Sequence, residues 1–99
     1  MKHFFLLEWV FTAPLEQIEA ATPDHRAYLQ TGYDTGMLLL SGPQIPRTAG
    51  VIIMRAASRE EAEAFAHGDP YFTRQLAKAR FVEFNPVKRQ PFLDDWVNG

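Results

Sequence analysis

Ninety-nine residues with 46% hydrophobic content, a formal net charge of −2 and no cysteine fit one domain, 1–99, and exclude a disulfide framework, a thiolate metal site and a cysteine nucleophile. Ten Lys and Arg against twelve Asp and Glu give no basic excess to neutralise a phosphate backbone or an anionic bilayer, so neither nucleic acid nor membrane is an expected partner. Aromatic residues make up 13% of the chain, eight of them Phe, which is much ring surface for a small interior and requires an aromatic core or a sticky surface.

The opening Met1-Lys2-His3-Phe4-Phe5-Leu6-Leu7 imitates a secretory leader, but Glu8 interrupts the apolar run and no small-x-small cleavage site follows, so it reads as mature sequence. No run approaches the roughly 18 apolar residues of a membrane span, and a cytoplasmic location is expected. His3 to Phe11 is rich in aromatic and branched residues and predicts a strand. Phe4, Leu6, Glu8 and Val10 alternate with Phe5, Leu7, Trp9 and Phe11, so both faces of the strand expect cover. Residues 15–21 predict a short helical turn. At Thr22-Pro23 a new helix is expected to begin, with Thr as N-cap and Pro at the first helical position, running to about Asp34 with Gly36 as its stop. On that helix His25 shares a stripe with Tyr28, Leu29 and Gly32, the face turned to the sheet.

Residues 37–40 and 51–54 are apolar β-type runs, joined by a Gly- and Pro-containing stretch too short for a crossover helix, and predict an antiparallel hairpin with an extended loop. Ser58-Arg59-Glu60-Glu61 is a capping box announcing a second helix with Ala62, Phe65 and Ala66 inside. Gly68-Asp69-Pro70 breaks it and restarts a short helix, Asp69 as N-cap and Pro70 at the first position. Residues 80–87 alternate Phe81, Glu83 and Asn85 with Val82, Phe84 and Pro86, a last strand. In the tail, 88–99, Phe92 and Trp96 flank Asp94-Asp95 and are expected to dock on a neighbouring protomer. The order β-α-β-β-α-β is the ferredoxin-like pattern of an α+β protein, with both helices on one face of a four-stranded antiparallel sheet. The other face would be apolar, and a homodimer joined through sheet faces would bury it.

With these elements in place the chain resembles the YciI-like (YCII-related) family. The residues that carry the likeness are Asp24-His25-Arg26-Ala27-Tyr28-Leu29, Gly36-Met37-Leu38-Leu39-Leu40-Ser41-Gly42-Pro43, Gly50-Val51-Ile52-Ile53, 58–66, Gly68-Asp69-Pro70-Tyr71 and Val82-Glu83-Phe84. The specificity lies in their order and spacing over residues 3 to about 88, since each motif alone is weak. The resemblance implies the dimeric α/β barrel version of the ferredoxin-like fold and a His–Asp pair in a pocket, matched here by His25 and Asp69. It also implies enzymes related in shape to muconolactone isomerases, dehydrochlorinase-type activities among them.

The residues permit that chemistry. At the third position of the expected helix, His25 would feel a dipole that disfavours imidazolium, which suits a general base. Asp69, on the inner stripe of the second helix, could hold the other ring nitrogen, fix the tautomer and support the imidazolium. The same pattern also describes a hydrogen-bonded core histidine and an ordinary N-cap. Ser41, Gly42 and Pro43 could offer a hydroxyl and backbone groups to a substrate carbonyl or carboxylate, although they equally read as a turn opening the hairpin loop. Tyr28 and Phe72, with Tyr33, Phe65 and Tyr71, could form an aromatic wall for a small cyclic substrate. Glu8 and Glu83 read as strand-edge carboxylates, and His3 and His67 as structural. The three histidines show no ligand spacing, and no phosphate loop or nucleophile elbow occurs, so neither metal nor cofactor is expected. The leading expectation is a lyase- or isomerase-like enzyme in which His25 moves a proton from a small cyclic or lactone-like acid and Asp69 supports it. Its rivals are a non-catalytic dimeric module that binds a small metabolite and a cofactor-free monooxygenase on the same scaffold.

Overall fold

The computed structural model describes residues 2–99. Strand β1 (His3–Phe11) is central, paired antiparallel on one side with β3 (Ala49–Ala56) and on the other with β4 (Ala77–Phe84). Strand β2 (Leu38–Pro43) completes the sheet at the far edge of β3, in the order β2-β3-β1-β4. This is the ferredoxin-like α+β arrangement expected from the order of the elements. Helices α1 (Leu15–Asp34), α2 (Arg59–His67) and the one-turn α3 (Pro70–Thr73) supply the helical layer, and the core between it and the sheet holds Phe5, Leu7, Trp9, Ile18, Leu29, Ile52, Met54 and Tyr71.

The period-two pattern of β1 decides which rings go inside. Phe5, Leu7 and Trp9 are fully buried under the helices, whereas Leu6, Glu8 and Val10 lie on the opposite face with Ile53, Val51 and Val82 at matching register positions. On that second face Val10, Leu40, Val82 and Phe84 are exposed. Phe4 is the exception there, buried because the tail returns to it. After a 3₁₀ turn at Pro91–Leu93, the short α4 (Asp94–Asn98) brings Trp96 to within 5.6 Å of the Phe4 ring. Trp96 Nε1 donates to the Gly36 carbonyl at 2.9 Å, and the Arg55 guanidinium lies 5.3 Å above its ring while also donating to the Trp96 carbonyl. Trp96 thus seats on its own chain, while Phe92 stays exposed.

Three sequence expectations require correction. A single helix of 20 residues runs through Pro23 where two were expected. Pro23 faces solvent, and Thr22, instead of capping, turns its hydroxyl back to the Ile18 carbonyl at 2.7 Å, inside the helix. The hairpin strands extend beyond 37–40 and 51–54, so Ser41, Gly42 and Pro43 are ladder residues opposite Ile52, Val51 and Gly50, not a turn. The last strand ends at Phe84, paired with Phe4 near the start of β1, so Asn85 and Pro86 lie past the ladder. The expected caps are present: the Ser58 hydroxyl accepts from the Glu61 N–H at 3.1 Å, Asp69 caps α3 with Pro70 at its first position, and Gly36 turns the chain after α1 with φ +80°. No helix among the described residues is long and apolar enough to cross a membrane.

Candidate active site

Along α1 the buried residues Ile18, Ala21, Thr22, Leu29 and Gly32 trace one stripe, and His25 lies on it between Thr22 and Leu29. Because α1 begins at Leu15, His25 sits in the helix interior, and the electrostatics of a helix N-terminus do not act on it as expected from a start at Pro23. What holds the ring is a carboxylate. Asp69, only 1% exposed, faces it with both oxygens, at 2.7 and 2.9 Å from His25 Nδ1. A carboxylate only accepts, so Nδ1 carries the hydrogen, and in the neutral imidazole the lone pair is left on Nε2. Nε2 has no protein partner among the described residues and is not sealed from solvent.

The same short helix delivers carboxylate and stacking partner. Asp69 Oδ1 accepts the Tyr71 N–H at 2.8 Å while serving His25, so capping and ring positioning coexist on one group. Tyr71, two residues on, lies flat against His25 with centroids 3.8 Å apart and planes 6° from parallel, which limits rotation of the imidazole. Thr22 gives its hydroxyl hydrogen to Ile18, and so can only accept from Tyr71 Oη at 2.8 Å and from Arg47 Nη2 at 3.3 Å. Tyr71 therefore donates away from the ring stack.

His25 opens on a cavity of about 150 Å³ between α1, α3 and the β2–β3 end of the sheet, with Trp9, Phe11, Thr22, Leu29 and Tyr71 in its walls. A volume of about 150 Å³ accommodates one benzene-sized ring. Ser41, Gly42 and Pro43 line it as well, although the Ser41 hydroxyl already shares a 2.6 Å hydrogen bond with Tyr33. Tyr28 and Phe72 are not brought to this cavity. Tyr28 packs on Phe65 and donates to its carbonyl at 2.7 Å, and Phe72 stacks on His67 beside a separate groove along Lys78. Burial first, and then the nearby Asp69 carboxylate, push the Tyr28 phenol above its ordinary value. Glu8 faces Arg80 at 3.7 Å and Glu83 bonds His3 at 2.7 Å, both away from the cavity walls.

Sequence reasoning missed Arg47 and Trp9. Arg47, in the loop between β2 and β3, reaches the cavity wall over Thr22. Its Nε and the Trp9 Nε1 are the two buried side-chain polar atoms without a hydrogen-bond partner among the described residues. Each such N–H costs about 1–3 kcal/mol if left unpaired. An arginine in a Pro-containing loop and a tryptophan on the helix-facing side of β1 carried no sequence signal of convergence. Among the described residues no group of three or more His, Asp or Glu could hold a metal ion.

Comparison with known proteins adds three findings. A family model described as the YCII-related domain matches residues 4–85. A 5-chloro-2-hydroxyhydroquinone dehydrochlorinase, TftG of Burkholderia phenoliruptrix AC1100, solved with 2,5-dihydroxybenzoquinone, superposes with a TM-score of 0.69 at 20% identity, covering 90% of this chain and 97% of its own. SnoaB, a cofactor-independent oxygenase from Streptomyces nogalater, superposes with a TM-score of 0.50 at 11% identity, covering 91% of this chain and 97% of its own. No curated protein matches the chain at a significant level. The structural likenesses show a shared fold, the four-stranded antiparallel sheet with its helical layer.

Proposed function

The chain belongs to the YCII-related domain family, and from that premise we propose that it is a small cofactor-independent enzyme in which His25 transfers a proton and Asp69 orients and supports it. The observation that carries this reading is the two-oxygen grip of buried Asp69 on His25 Nδ1, which leaves Nε2 as the basic atom of a ring at a cavity of single-ring size. The step is an elimination or a double-bond migration on a small cyclic or lactone-like substrate. Nε2 takes a proton from an acidic C–H, and the bonding pair moves into a new double bond. In an elimination the leaving group departs with its own pair. In an isomerisation the imidazolium returns the proton to a conjugated carbon. Throughout, Asp69 stabilises the imidazolium and Tyr71 keeps the ring plane fixed. The likeness to a dehydrochlorinase solved in complex with 2,5-dihydroxybenzoquinone agrees with a single-ring substrate. The reading includes a homodimer joined through the exposed sheet faces and a cytoplasmic location.

The test begins with 5-chloro-2-hydroxyhydroquinone and unsaturated lactones, monitored by chloride release and ultraviolet absorbance. His25→Gln should lower kcat/KM by about 10²–10⁴-fold. Asp69→Asn, which still caps α3, should also lose activity. Full activity in His25→Gln refutes the role of the histidine. Tight binding without turnover indicates a non-catalytic binding module, and oxygen consumption with phenolic substrates indicates a monooxygenase.

A further inference from the structure

Glycine weakens a strand interior, because it loses the most conformational freedom on folding and brings no side chain to the packing, so a glycine inside a strand calls for a reason. Elsewhere in the fold the reason is visible. At Gly32 an added Cβ would lie 2.8 Å from both Leu38 Cγ and Phe65 Cζ, at Gly68 it would collide with the Tyr28 hydroxyl, and Gly36 has φ +80°. Gly50, in the interior strand β3, meets neither demand. Its φ lies outside the left-handed region, and a Cβ there would approach only the Gly42 carbonyl oxygen, at 3.9 Å, an ordinary contact. Gly50 pairs with Trp9 of β1, and cross-strand partners project to the same face. That face is the one under the helices: the buried Trp9 ring and Ile52, two residues on from Gly50, both line the cavity that holds His25, and Gly50 lines it too. Gly42 is also uncrowded, but it pairs with Val51, on the opposite face. A side chain at position 50 would therefore enter the cavity, and the fold itself gives no reason for its absence.

We propose that Gly50 is the specificity-determining residue of this cavity: its bare backbone is the seat of the substrate ring, and the missing side chain leaves space for one small substituent on that ring. This rests on the reading of the cavity as the substrate site and names the class of substrate it takes, a single six-membered ring bearing a group of about the size of a chlorine atom or a methyl. A cavity of about 150 Å³ holds one ring and little else, so each carbon added at position 50 removes space that the ligand itself would fill. The strand gives up some stability at this position, and the open space is what it gains.

The experiment measures equilibrium binding to the full chain by calorimetry with phenol and its three monochloro isomers, alongside the melting temperature of each unliganded variant. The unaltered chain should bind phenol and at least one chlorophenol. Gly50→Ala should weaken that chlorophenol roughly 10-fold or more relative to phenol, since one added methyl occupies the substituent's space. Its melting temperature should equal or exceed that of the unaltered chain, because alanine at an uncrowded position with an ordinary φ restricts the unfolded chain. Gly50→Val should weaken phenol itself roughly 10-fold or more, and Gly50→Ala decides the matter if the larger side chain does not fold. His25→Gln should keep the ranking of the four compounds while losing turnover. A ranking that responds to Gly50→Ala without any turnover in the unaltered chain refutes the proton-transfer reading alone, and turnover that depends on His25 with no response to Gly50→Ala refutes this proposal alone. An unaltered chain that binds no chlorophenol, an affinity unchanged or uniformly changed across the four compounds in Gly50→Ala, or a lower melting temperature in that variant would each overturn the proposal.

Discussion

At the scale of single residues, proton and lone-pair counting organises the site. Asp69 can serve two donors because a carboxylate has two acceptor oxygens: Oδ1 satisfies the orphan Tyr71 N–H of a helix start, and both oxygens face His25 Nδ1. Tyr28 was expected at the substrate and instead closes the gap between helices, its hydroxyl bonded to the Phe65 carbonyl and so close to Gly68 that a Cβ there would collide with it. Its raised phenol value has a measurable consequence. The folded chain holds this proton more tightly than the unfolded chain, so the stability Tyr28 contributes is fully present below the ordinary value of 10.0 and is lost as pH rises toward the folded value. A spectrophotometric titration should show a component of phenolate absorbance above pH 10 that Tyr28→Phe removes, together with part of the alkaline loss of stability. An unchanged curve in the variant would contradict the environment described for this side chain.

At the scale of elements, α1 shows how tertiary packing overrides a local signal. Thr22-Pro23 has the chemistry of a helix start, but the stripe of Ile18, Ala21, Thr22, His25, Leu29 and Gly32 stays in register with the sheet only if one helix runs through. Proline in a helix interior removes a backbone donor and crowds the preceding turn, and here it persists on the solvent side. Pro23→Ala should therefore stabilise the chain by about 1–3 kcal/mol, read as a rise in melting temperature of about 4–8 °C per kcal/mol for a domain of this size. A lower melting temperature would mean that the proline contributes to the geometry of the Thr22 region. The caps at Ser58 and Asp69 were legible because they depend on neighbours within three residues. The lengths of β2, β3 and β4 were not, since a strand extends as far as its partner supplies ladder groups, and those partners lie far along the chain.

At the scale of the whole molecule, one sheet face is covered by helices and the other carries exposed Val10, Leu40, Val82 and Phe84, with only the Phe4 end covered by Trp96. An apolar sheet face of this kind is costly to leave in water, which is the physical ground for the proposed homodimer. Light scattering at micromolar concentration should return twice the 11.3 kDa chain mass, and Val82→Lys with Leu40→Glu should shift it to the monomer without unfolding. A monomer mass for the unaltered chain would remove the dimer from the proposed function.

Local pattern was sufficient for the order of elements, the two-faced first strand, the caps and the stripe that carries His25, because periodicity and capping act over a few residues. His25 and Asp69 were singled out by the family resemblance, since their spacing alone describes a core histidine and an N-cap equally well. The meeting of those two side chains 44 positions apart, the stacking of Tyr71 on the imidazole, the exclusion of Tyr28 and Phe72 from the cavity and the presence of both Arg47 and Trp9 in its wall all came from the folded chain. Each depends on how α1, α3 and the β2–β3 loop pack around a common space, and the direction of a side chain into such a space is set by distant neighbours rather than by sequence spacing.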